Sequence, residues 1–281
     1  MATAAPAGAG PRRYSGTLKA AIFDWAGTTV DFGSRAPMGV FVRAFREVGI
    51  NISVEQARIP MGLPKWDHIK AVGMLPDVAA QWRQVHARPF EDGDVARIYE
   101  IFVPLNVAVV TDFADLIPGT LEVVNALRAR GLRIGSTTGY NRPIMEALLP
   151  VAAARGYAPE ITVCAGDLAQ GRPSPLMIWH ILVQFGLWPA AAAVKIDDTV
   201  PGIEEGRNAG TWTVGVALTG NEVGLSETEL ALVTGPDLIT LRQRAATRLL
   251  AAGAHYVIDG IADLPPVIED IEQRLRRGEQ P

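Results

Sequence analysis

The sequence predicts an α/β fold: a doubly wound parallel sheet with an all-helical segment inserted near its start. Three observations carry this. Short, nearly continuous apolar runs at residues 18–23, 132–138, 161–164, 193–197 and 211–217 alternate with segments of helical period. That is the pattern of βαβ units whose strands are covered on both faces. Residues 34–110 interrupt the alternation and hold only helical periodicity. Finally, four of the apolar runs lead into a carboxylate, a pair of hydroxyls or a loop bearing a cation, and a parallel sheet brings such ends to one crevice.

Along the chain, residues 1–16, rich in Ala, Gly and Pro, read as a disordered tail. The first strand delivers Asp24 onto a loop. Met38, Phe41, Phe45 and Val48 then recur at steps of three and four, and Gly49 closes that helix. The loop Ile59-Pro60-Met61-Gly62-Leu63-Pro64 opens a second helix at Lys65, and Val95, Ile98, Phe102, Leu105 and Val109 mark a longer third. Helices at 119–130, 141–155, 173–185 and 201–209 follow, each between two strands, and Gly131 stops the first of them. Two more helices and a strand near 255–258 complete the chain. The expected organisation is a core of residues 17–33 and 111–281, with 34–110 as a helical cap inserted in it.

With 281 residues the chain can bury a large core and carry such an insertion. A net charge of −4, with no long basic run, argues against a nucleic-acid partner. No apolar stretch reaches the roughly 18 residues a membrane span requires. The single cysteine, Cys164, lies in an apolar run and reads as core, which excludes an internal disulfide framework. Arg12-Arg13 precede an apolar run that breaks at Asp24, too early for an export segment, so the expected compartment is the cytoplasm.

The strand ends carry the chemistry. Asp24 can coordinate a hard cation or attack phosphorus, and the following Gly27-Thr28-Thr29 can bring backbone N–H groups close to a phosphate. Thr137-Thr138-Gly139 offers hydroxyls and backbone donors. Arg172 offers a cation just before a helix N-terminus, and Asp197-Asp198-Thr199 offers two carboxylates. Taken singly, the threonines could simply end a strand, Arg172 could sit at the surface, and Asp197 or Asp198 could cap a helix. Together they form the donor set of a Mg²⁺-assisted phosphoryl-transfer site.

In this order the motifs resemble the haloacid dehalogenase (HAD) superfamily, whose first motif is usually Asp-x-Asp-Gly-Thr. The resemblance implies a HAD-like core that uses Mg²⁺. Asp24 matches the nucleophile, which is also a metal ligand, and the backbone carbonyl of Ala26 matches a second metal ligand. Thr138 matches the second-motif hydroxyl, with Gly139 beside it on the phosphate. Arg172 matches the third-motif cation, more often a lysine, and Asp198 the fourth-motif metal carboxylate. Two positions depart. Gly202 stands where many members carry an acid, which leaves the metal shell to water or to Asp197. Ala26 replaces the second aspartate, which in HAD phosphatases protonates the leaving group and activates water.

Three explanations of Ala26 stay open on the residues alone: a silent binding protein, a leaving group that needs no acid there, or a compensating residue elsewhere. Met61-Gly62-Leu63-Pro64-Lys65-Trp66-Asp67-His68-Ile69 supplies a candidate for the last. Lys65 sits in the first turn of a helix, where the dipole disfavours its cationic form, and His68 shares its face. A neutral lysine can form a Schiff base with an aldehyde. Jointly with Asp24-Trp25-Ala26-Gly27-Thr28-Thr29-Val30-Asp31, Ile134-Gly135-Ser136-Thr137-Thr138-Gly139-Tyr140 and Glu205-Gly206-Arg207-Asn208-Ala209-Gly210, this stretch resembles the phosphonatase family of the superfamily. The resemblance covers nearly the whole chain beyond the tail. It implies cleavage of the P–C bond of phosphonoacetaldehyde through a Lys65 imine and an Asp24 aspartyl phosphate. It also implies a homodimer with cap helices at the interface, with which the apolar helix around Phe41 and Phe45 is compatible. Near the imine, His68 could relay protons or be structural, Met61 could contact the lysine stem and substrate or pack in the core, and Tyr140 could reach the substrate or hold structure.

Overall fold

In the computed structural model, which describes residues 13–281, six parallel strands lie in the order β3-β2-β1-β4-β5-β6. They are β1 (Ala20–Phe23), β2 (Arg133–Asn141), β3 (Ile161–Ala165), β4 (Ala193–Asp197), β5 (Trp212–Val216) and β6 (Tyr256–Ile258). The predicted doubly wound sheet is therefore present. Its order reverses between β1 and β4, and a crevice opens at the carboxyl ends of strands where such a reversal occurs. In register, Phe23 pairs with Ser136 on one side and with Ile196 on the other. The residues one step further on, Asp24, Thr137 and Asp197, thus arrive side by side at that crevice.

Strand alternation divides the core. Ala21 and Phe23 point into one apolar cluster, while Ala20 and Ile22 point into another with Met177, Ile178 and Ile181. Six α-helices lie between β1 and β2. These are α1 (Ala36–Arg46), α2 (Val54–Arg58), α3 (Lys65–Gly73), α4 (Pro76–His86) and α5 (Asp92–Val109), with α6 (Thr120–Ala129) leading into β2. The remaining helices are α7 (Arg142–Ala154), α8 (Leu176–Phe185), α9 (Val200–Ala209), α10 (Glu227–Leu232), α11 (Gly235–Ala251) and α12 (Leu264–Arg276).

The inserted helices pack on one another within the same apolar cluster that takes Ala21 and Phe23 of the sheet. Phe41 of α1 stacks on Phe102 of α5 at 4.4 Å between ring centroids, and Ile69, Val72, Val95 and Ile98 are buried beside them. Phe41 and Phe45 are fully buried, so they are core residues and not an available interface face. Helices α2 and α4 had no separate signal in the sequence. The first is a five-residue turn held by a capping box in which Ser53 and Gln56 exchange hydrogen bonds, too short for a periodic pattern. The carboxyl end of β2 runs three residues past the expected strand, with an irregularity between Thr138 and Asn141. Of the expected tail, residues 1–12 lie outside the described residues. Tyr14 packs against the core, donates to the Thr17 carbonyl and accepts from Gln280.

Candidate active site

The loop after β1 alternates its side chains. Trp25 turns into the core and donates to Ser136 Oγ at 2.7 Å, with its ring edge-on to Tyr157. Its neighbours Asp24 and Ala26 are left facing a small cavity at the switch point. Thr138, Gly139, Tyr140 and Arg172 line it from the sheet side, and Met61 and Lys65 from the helical segment. A Cβ on Gly139 would lie 2.8 Å from the Leu63 carbonyl oxygen, so the glycine lets the loop before α3 close onto the end of β2.

Lys65 is the first residue of α3 and is 4% exposed. Its Nζ meets two aromatic faces, 4.9 Å from the Tyr140 ring centroid and 5.5 Å from that of Phe41. Both faces favour the ammonium ion, as does Asp24. Burial outweighs them and pushes the amine down to about 7 from 10.5. The chain has four lysines, and Lys65 is the one that lines the cavity.

His68 does not line the cavity. It is fully buried, stacked on Phe41 at 4.0 Å, with Nε2 donating to the Ala57 carbonyl at 2.7 Å. That acceptor fixes the proton on Nε2. Burial and the neighbouring Lys65 hold the imidazole well below its ordinary pKa, so the ring is neutral, and Nδ1 has no partner among the described residues. The Tyr140 hydroxyl is likewise buried without a partner.

Below the cavity lies a dense charge network. Arg172 Nη2 donates to Asp24 Oδ1 at 2.7 Å and to the Thr137 carbonyl at 2.7 Å, while its Nε donates to Glu205 Oε2 at 3.0 Å. Burial opposes the guanidinium charge, but Asp197, Asp24 and Glu205 together outweigh it. Lys195 on β4 reaches past β1 to Thr137 Oγ1 at 2.8 Å and pairs with Asp197 at 2.9 Å. Four carboxylates (Asp24, Asp197, Asp198 and Glu205) therefore face two cations. The mismatch shows at Asp24 and Asp198. Burial and Asp197 push Asp24 up to about 6, and burial with Asp24 and Asp197 drives Asp198 well above the carboxylate range.

One oxygen from each of Asp24, Asp197 and Asp198 lies within 4.8 Å of the others. A divalent cation among these hard oxygen donors would offset that excess and bring Asp24 and Asp198 back to their ionised forms. The site therefore fits such an ion. Asp198 itself is held by Thr28 Oγ1 at 3.1 Å and by the Asn221 backbone N–H at 2.7 Å. Asp197 accepts from the Thr199 N–H and hydroxyl through one oxygen.

Sequence reasoning gave no role to Lys195, Glu205 or Arg58, although Glu205 opens one of the stretches that carry the resemblance. Lys195 carried a signal, since a lysine between Val194 and Ile196 in a buried strand demands a partner. Arg58, at the end of α2, donates to the carbonyls of Gly33, Ser34, Asn221 and Gly224, and so fastens the helical segment to loops beside the cavity. Its short helix and neutral acceptors gave no pattern to read.

A parallel sheet whose switch point gathers an aspartate, strand-end hydroxyls, a buried cation and an acidic cluster defines a hydrolase of the haloacid dehalogenase class. The family model for haloacid dehalogenase-like hydrolases matches residues 18–210. The chain is 50% identical over 264 residues to a phosphonoacetaldehyde hydrolase of Paraburkholderia xenovorans, covering 94% of this chain and 99% of that one. It is 50% identical over 266 residues to one of Klebsiella pneumoniae, covering 94% and 99%. A crystal structure of a phosphonoacetaldehyde hydrolase-like protein from Oleispira antarctica superposes over the full length of both chains, with a TM-score of 0.94 and 40% identity. The β-phosphoglucomutase of Clostridium difficile shares the fold alone, with a TM-score of 0.66 and 15% identity over 92% of this chain and 98% of its own. The chain belongs to the phosphonoacetaldehyde hydrolase family of the haloacid dehalogenase-like hydrolases, and it is an enzyme.

Proposed function

We propose that the protein hydrolyses the P–C bond of phosphonoacetaldehyde to acetaldehyde and phosphate. The observation that carries this reading is a buried amine on the wall of the cavity that holds Asp24, in a loop where Ala26 has removed the usual acid.

Breaking a P–C bond directly would expel a carbanion. Lys65 avoids this. Its neutral amine adds to the aldehyde, and the carbinolamine takes up one proton from solvent and loses water, which gives a protonated imine beside the carbon attached to phosphorus. An Asp24 carboxylate oxygen attacks phosphorus, and the P–C bonding pair flows into the imine to form an enamine. Protonation of the enamine at carbon and hydrolysis of the resulting imine release acetaldehyde and restore Lys65. Water attacks the aspartyl phosphate, releases phosphate and restores Asp24. The leaving group takes its proton at carbon, so an acid at position 26 has no task. His68 is neutral, fully buried and off the cavity wall, so in place of the expected proton relay we assign it a packing role, stacked on the Phe41 ring that Lys65 Nζ faces. Thr138 and the Gly139 backbone would hold the phosphonate oxygens, with Arg172 between them and Asp24. Met61 and Tyr140 would pack on the lysine stem.

Mg²⁺ is the ion we assign to Asp24, Asp198 and the Ala26 carbonyl, where it would offset the charge of the transferring phosphoryl group. Residues 34–110 would act as the cap that closes over the substrate. We assign the protein to the cytoplasm as a homodimer; among the described residues, no helix is long and apolar enough to cross a membrane.

The test is incubation of the wild-type protein with phosphonoacetaldehyde and Mg²⁺. Acetaldehyde and phosphate are expected in equal amounts. Phosphate from phosphate esters, with no acetaldehyde from the phosphonate, would replace this reading with that of a P–O phosphatase.

A further inference from the structure

Helix α9 approaches β4 unusually closely. A Cβ on Gly202 would lie 2.0 Å from the Asp197 carboxyl carbon, and one on Gly206 would lie 2.8 Å from the Lys195 Cβ. The two glycines are one helical turn apart, so the face they share rests directly on the stems of Lys195 and Asp197. Residue 205 is carried inward by the same contact, and Glu205 is fully buried. Its Oε2 accepts from Thr137 Oγ1 at 2.8 Å and from Arg172 Nε at 3.0 Å, with Lys195 Nζ at 3.6 Å. Its Oε1 has no partner among the described residues. A buried carboxylate oxygen left unpaired is costly, so the side chain is poorly explained by stability alone.

We infer that Glu205 and Lys195 are positioning residues, which lock the Arg172 guanidinium so that Nη2 faces Asp24 Oδ1. The inference rests on the proposed reaction. Arg172 is gripped at both ends of its fork, by Glu205 at Nε and by Asp24 and the Thr137 carbonyl at Nη2. Lys195 holds Thr137 Oγ1 and Asp197, the two groups between which Nη2 sits. A lysine at position 172 would have no Nε to grip, so the Glu205 contact is specific to an arginine. Neither Glu205 nor Lys195 lines the cavity, and both act through Arg172.

A double-mutant cycle tests this, with kcat and KM measured for Glu205→Gln, Arg172→Lys and the combined variant. Imine formation is read separately, by borohydride trapping of acetaldehyde on Lys65. A guanidinium displaced by about 1 Å costs on the order of 10²-fold, so Glu205→Gln is expected to lower kcat by about that factor with KM little changed. Trapping on Lys65 should stay at the wild-type level. In the Arg172→Lys background the same substitution should cost little more, because contacting groups are not additive. Equal losses in both backgrounds would overturn the inference, as would parallel loss of trapping, since either would mark a general packing defect. If Glu205→Gln does not fold, Lys195→Met/Glu205→Gln removes the buried pair together and carries the same comparison. A wild-type protein without turnover on the phosphonate would instead refute the proposed reaction, and this inference with it.

Discussion

Lys65→Arg is expected to lower acetaldehyde release from phosphonoacetaldehyde by on the order of 10⁴-fold or more, the scale of losing a covalent catalyst. The substitution keeps a long cation at the start of α3 and removes only nucleophilicity. A guanidinium stays protonated at any working pH and has no lone pair to offer a carbonyl. Lys65 differs because burial brings its amine to about 7, where a large fraction is neutral. The variant separates two roles that a structure superimposes. If position 65 only supplied positive charge to a bound phosphate, arginine would serve, and turnover would fall modestly. Coupling acetaldehyde to an alcohol dehydrogenase reads the difference, and a loss of less than about tenfold would remove the imine from the mechanism.

Asp24→Asn should be equally damaging to phosphate release, by about 10⁴- to 10⁶-fold, because an amide neither attacks phosphorus nor holds a metal as a carboxylate does. Its effect on Lys65 runs the other way. Asp24 raises the lysine pKa, so removing its charge lowers that pKa further and leaves more neutral amine at pH 7. Borohydride trapping of acetaldehyde at that pH should therefore be retained or faster in Asp24→Asn, while phosphate release vanishes. A variant that lost both together would show that the two halves of the site are not separable as described.

Much of this was legible in the sequence, for a physical reason. In a parallel sheet, residues that end strands converge on one edge, so Asp24, Thr138 and Asp198 could be placed together from periodicity and topology alone. Lys65 was legible through the resemblance of its Gly-Leu-Pro-Lys stretch to the phosphonatase family, since a lysine opening a helix is by itself most often a surface residue. The network beneath was not. The hydrogen bonds that join Thr137 to Glu205, Arg172 to Glu205 and Lys195 to Thr137 span 33 to 68 residues of chain, and they depend on how closely α9 settles on β4. Nor could sequence separate interface from core at Phe41 and Phe45, since the same apolar stripe serves both. His68 shows the limit of helical spacing. It shares a face with Lys65 as expected, but Phe41 and the Ala57 carbonyl hold its ring away from the cavity wall.

The central claim is that a neutral Lys65 amine captures an aldehyde. Borohydride reduction in the presence of acetaldehyde, followed by peptide mapping across a pH series, tests it most directly. The account predicts an ethyl adduct on Lys65 whose yield rises with pH through about 7, because below that value the ammonium predominates and cannot attack. No adduct at Lys65, or one spread over Lys19 and Lys70 with yield still rising toward the ordinary lysine range, would contradict it.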